Sequence, residues 1–93
     1  MANPRSLIYG LYTHWDTVEV LVRLSREFAV LTSDQVLGCI AKVSPQLDAE
    51  AQGGALRAMV NADILQPCAR SSDLQLNAYV LDFVRGLTRE HEL

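Results

Sequence analysis

Two rhythms of apolar positions run along this chain, and the points where one gives way to the other mark its elements. From Trp15, apolar or small side chains recur at three- and four-residue spacing through Val18, Leu21, Val22, Ser25, Phe28 and Ala29, which is the period of one helix face. Thr13 or Asp16 would cap that helix. Val20, Leu24 and Leu31 form a second stripe beside the first. More than half the circumference is then apolar, wider than one core-facing stripe requires, so a surface beyond the domain's own core is expected to cover the rest. Upstream, Leu7, Ile8, Tyr9, Leu11 and Tyr12 surround Gly10 with no capping residue. Residues 1–12 therefore read as an apolar arm that packs on another element or on another chain.

The next helix is better delimited. Thr32 with Gln35 three residues on is a capping box, and Leu31 with Val36 is the hydrophobic staple that goes with it. The helix runs from about Ser33 through Val36, Leu37, Ile40 and Ala41, and must stop before Pro45, because the residue before proline is pushed out of the helical region. Asp48 caps a third helix, Glu50 suits the positive end of its dipole, and Ala55, Leu56, Met59 and Val60 make its apolar face. Gly53 and Gly54 weaken it by roughly 1 kcal/mol each relative to alanine. Close approach of a second helix or of a phosphate backbone would explain them.

After Ala62 and Asp63 the period shortens. Residues 64–70 read as an extended run, Ser71-Ser72-Asp73 as a turn, and Leu74-Gln75-Leu76 as a returning strand. Pro67 confines the first strand to an edge, since it has no N–H to give to a ladder. Asn77 caps a last helix with Val80, Leu81, Val84 and Leu87 on one face and Tyr79 and Phe83 beside it. That helix meets no C-terminal stop, which fits either a continuing helix or a frayed end.

Composition narrows the class. With 93 residues, 49% of them hydrophobic and 20% charged, the chain is one small folded domain with a modest core. It has no apolar run long enough for a membrane span or a secretory signal, and a cytoplasmic protein is expected. Cys39 and Cys68 lie far apart, and His14 and His91 lie near the ends. The spacing suits neither a metal site nor any other cofactor, and the thiols are expected to be reduced. His14 beside Asp16 lacks a nucleophile or second acid, Cys39 lies between Leu37 and Ile40, and no enzyme is expected.

Helix, helix, helix, two-stranded hairpin, helix is an order that resembles the winged helix-turn-helix superfamily. The resemblance is carried by the segment from Ala55 to Leu65, where an apolar helix end and a small turn lead into two aliphatics, and by Leu74-Gln75-Leu76-Asn77. It covers about residues 15–88. It implies a mainly α fold with a short β-hairpin, in which a three-helix core and wing (13–76) follow the arm (1–12), and an additional C-terminal helix (77–93) completes the chain. Where the superfamily often has glycine before the wing, this chain has Asp63, which adopts a left-handed backbone at some cost.

Two functions follow from that resemblance. In the first, a dimeric regulator reads duplex DNA with helix 48–62 in the major groove and the wing 66–76 on a phosphate or the minor groove. The DNA-facing residues would be Lys42, Gln46, Gln52, Arg57, Asn61, Arg70, Ser71 and Ser72. Gln52 or Asn61 is suited to adenine, Arg57 to guanine, and the two serines to phosphate oxygens. In the second, the domain is a protein-contact or dimerisation module of a larger assembly. The first is the expected function and the second its alternative, and charge counts against the first. Residues 32–65 hold two basic side chains against four acidic ones, a net of -2, and Asp48 and Glu50 stand at the end of the helix that would face phosphates. A homodimer is expected under either reading, through Leu7, Tyr9, Tyr12, Trp15, Val20, Leu24, Tyr79, Phe83 and Leu87, because a core this small gains from association.

Overall fold

The computed structural model describes the backbone of residues 4–69 and 71–92 and the side chains of residues 5–69 and 71–87. Among the described residues five helices and one hairpin follow in the order α1 (Pro4–Thr13), α2 (Trp15–Leu24), α3 (Ser33–Val43), α4 (Ala49–Asn61), β1 (Leu65–Pro67), β2 (Leu74–Leu76) and α5 (Ala78–Glu92). The fold is mainly α with a short antiparallel hairpin, as the periodicity predicts. Among the described residues no helix is long and apolar enough to cross a membrane.

The first two helices correct the reading of the N-terminal third. Of the residues expected to form an arm, 4–12 are helical and 1–3 lie outside the described residues; the helix is opened by Pro4, whose fixed φ and missing N–H suit the first helical position. Neither Thr13 nor Asp16 caps α2. His14 occupies that position, with φ -112 and no side-chain cap bond. The backbone of His14 links the two helices: its N–H donates to Gly10 O and its carbonyl accepts from Val18 N–H, both at 2.9 Å. A single non-helical residue thus separates them.

The helix also ends earlier than its stripe suggests. Ser25–Glu27 turn out of it, the Ser25 hydroxyl donating to Val22 O at 2.7 Å, and Phe28 and Ala29 are exposed. The cause is long-range. Leu31 and Leu74 exchange two backbone hydrogen bonds of 2.7 Å, and this pairing takes Leu31 into the sheet as a one-residue third rung beside β2. Local periodicity yields to a tertiary hydrogen-bond demand.

The remaining boundaries match their chemistry. Thr32 and Gln35 form both halves of the capping box at 3.1 and 2.8 Å, and Leu31 and Val36 are buried. Asp48 Oδ1 accepts from Ala51 N–H at 2.8 Å, and Asn77 Oδ1 from Tyr79 N–H at 2.9 Å. At the end of α4, Ile64 N–H reaches back to Met59 O and Asp63 N–H to Val60 O. This is the Schellman pair that closes a helix, with its left-handed residue Asp63 at φ 67. The strands pair Leu65 with Leu76 and Pro67 with Leu74, so β1 is the outer edge.

Val18, Leu21, Val36, Met59, Ile64 and Leu65 are completely enclosed between α2, α3, α4 and the hairpin, and Val80 and Val84 seal the core from α5. α5 packs on α2. The tightest approach is at Gly10, where a Cβ would lie 2.7 Å from Ala62 Cβ and 3.0 Å from Ile64 Cδ1. Gly53 and Gly54 mark no such approach: a Cβ at Gly54 meets nothing within 4 Å, and one at Gly53 meets only the Arg57 guanidinium at 3.9 Å. No second helix lies against them.

Candidate functional site

Two surfaces hold the residues singled out by sequence. The first lies between α1 and α5. Because α1 is a helix, Leu7 and Leu11 stack one turn apart on one face and Ile8 and Tyr12 on the next. From α5, Tyr79, Phe83 and Leu87 descend the opposite wall, and Trp15 at the start of α2 contributes to the floor. Trp15 and Phe83 meet edge to face, their centroids 6.3 Å apart and their planes at 85°, the geometry that the ring quadrupole favours. The groove measures about 690 Å³ and has no charged residue in its lining.

Much of this lining faces solvent. Tyr12 is 87% exposed, Tyr79 79%, Ile8 67% and Phe83 53%. Six of the nine residues expected at a dimer contact therefore line one groove. The other three do not. Tyr9 belongs to a more polar recess with Arg5, His14 and Asn61. Val20 and Leu24 are half-buried and line a groove with Arg23, Glu27 and Lys42, so α3 covers part of the second stripe of α2. Ile8 and Leu11 are missing from the sequence-based set. Their signal was the i, i+4 pairing with Tyr12 and Leu7, visible once Pro4 is taken as a helix start.

The second surface is α4 with the hairpin tip. Arg57 and Asn61, one turn apart, are exposed and share a small groove with Ser33. Ser71 and Ser72 are exposed on the turn, although the Ser71 hydroxyl accepts from Asp73 N–H at 3.2 Å. Gln46 is exposed. Gln52 is turned inward, its amide donating to Leu47 O at 3.1 Å. Lys42 lines the groove beside α2 and not the one that holds Arg57. Arg70 lies outside the described residues. The structure thus gathers Arg57 and Asn61, and separates Lys42 and Gln52 from them.

Among the described residues two titratable groups are shifted. Burial holds the His14 imidazole below its usual 6.5. Burial also pushes the Cys39 thiol up, with nearby Lys42 pulling the other way. Cys39 and Cys68 are free, and among the described residues no three His, Cys, Asp or Glu side chains converge as a metal site. No protein-family model, curated protein or solved structure matches the chain.

Proposed function

We propose that this chain is a winged-helix-type domain that works as a protein-contact module, with the groove between α1 and α5 as its contact surface. The observation that carries the reading is that groove: uncharged, continuous, and walled by rings that the chain leaves in water. Monomeric soluble domains rarely keep an apolar patch beyond a few hundred Å² unless something covers it. The winged-helix assignment is supported by the element order, by the close succession of α3 and α4, and by a hairpin whose inner strand pairs with Leu31. Free thiols fit a cytoplasmic setting.

Recognition of duplex DNA is the second reading, favoured by the exposed pair Arg57 and Asn61 on α4 and by the serines at the hairpin tip. Against it, Arg57 is the single cation of α4, Asp48 and Glu50 stand at its N-terminus, and Gln52 spends its amide on Leu47. A helix that displaces counterions from phosphate needs more positive charge than this.

One experiment separates the two. A photo-crosslinking residue is placed in turn at Tyr12, Phe83, Asn61 and Ser72 in cells expressing the protein. Protein adducts from Tyr12 and Phe83, with no DNA adduct from Asn61 or Ser72, are expected. DNA adducts from Asn61 and Ser72, with none to protein from the groove, would overturn the contact-module reading in favour of DNA.

A further inference from the structure

The groove has a definite occupant. Resting on the protein-contact reading, we infer that it is closed by a second copy of this chain, with α5 packed on α5 and Gly86 at the crossing. The first argument is area. An aromatic side chain removes roughly 150–250 Å² from water when buried, and Tyr12, Tyr79 and Phe83 are more than half exposed. With Ile8, the open surface is on the order of 500 Å² per chain, so two copies would bury about 1,000 Å², which reaches the lower bound for a specific interface and fits a dimer that dissociates on dilution.

The second argument is shape. A two-fold contact requires one patch to complement itself. Here one patch carries both a groove and the rings beside it that fill a groove. Within the groove charge offers no opposition, since no ionised group is in its lining.

The third argument is Gly86. It is exposed, three residues after Phe83 and seven after Tyr79, on the same edge of α5. Among the described residues a Cβ there would meet nothing within 4 Å, so none of them calls for glycine at a position where it weakens the helix. A second helix crossing closely at that point does call for it.

The test is sedimentation equilibrium of the whole chain as wild type, Phe83→Asp and Gly86→Ala, with circular dichroism melts of the same samples. A dimer at micromolar concentration is expected. Phe83→Asp should weaken it on the order of tenfold or more, as loss of a central anchor does. Gly86→Ala should weaken association while raising the melting midpoint of dilute, dissociated chain. A folded wild type that stays monomeric at high micromolar concentration overturns the inference. So does a dimer indifferent to Phe83→Asp, and a dimer indifferent to Gly86→Ala overturns the α5 crossing. The two readings fail separately: a monomer that still crosslinks through Tyr12 to a protein of different mass loses the second copy and keeps the contact module, whereas DNA adducts from Asn61 and Ser72 without groove adducts remove the module itself.

Discussion

Gly10 and Tyr12 lie two residues apart on α1 and meet opposite surroundings. Behind Gly10, Ala62 and Ile64 stand so close that a methyl group has no room. Around Tyr12 there is open solvent over most of the ring. The same helix is therefore fastened to the root of the hairpin on one side and left unfinished on the other. The lesson is that tight packing and exposed apolar surface occupy different faces: the closed face fixes where α1 sits, and only because it is fixed can the open face present its rings in one arrangement with α5.

Four measurements break or sharpen that contrast. The largest effect is expected from Gly10→Leu, which forces bulk against Ala62 and Ile64 and should cost roughly 1–3 kcal/mol in urea unfolding. A loss too small to detect would mean that α1 moves freely off the hairpin root. Next is Asp63→Ala, which leaves a left-handed residue without its side-chain bonds to Gln66 and Asn77 and should cost about 1–2 kcal/mol. Asp63→Gly should recover most of that, and equal losses for both variants would show that the bonds matter more than the backbone.

Tyr12→Ser, on the open face, should change the folding free energy of dilute chain by less than about 0.5 kcal/mol. A larger loss would place Tyr12 in the monomer's own core. The smallest effect belongs to His14, at the break between α1 and α2. Its folded-state pKa lies below 6.5, so the unfolded chain binds its proton more readily. Stability is then fully present above pH 6.5 and declines as pH falls toward the lowered value. His14→Gln should flatten that part of the pH profile, and an unchanged profile would assign the slope to another group.

What was legible in the sequence had a local cause. Thr32 with Gln35, Asp48 and Asn77 each satisfy backbone donors within three residues, and Asp63 follows from the end of α4 alone. What was not legible had a distant cause or an ambiguous one. The stripe through Phe28 continues a helix on paper, but Leu31 is claimed by Leu74, far along the chain. The apolar run around Gly10 suits an arm or a helix equally until Pro4 is weighed. Glycine was the least transparent residue: the pair at Gly53 and Gly54 attracted the explanation that belongs to Gly10, because a close contact depends on a partner that a sequence pattern does not place. The candidate groove was legible in its residues, six of which stand among those expected at a dimer contact, and not in its depth, which needs α1 to be a helix.

The hairpin has a bearing on how copies of this chain can meet. β2 already has a neighbour on each side, β1 and Leu31, and β1 is three residues long with Pro67 on its outer edge. A foreign strand arriving there would find almost no donors to pair with, which is how natural sheets avoid edge-to-edge growth. Open-ended stacking through the sheet is thereby blocked, and the α5 contact proposed above is the route that would remain, one that would close after a single partner.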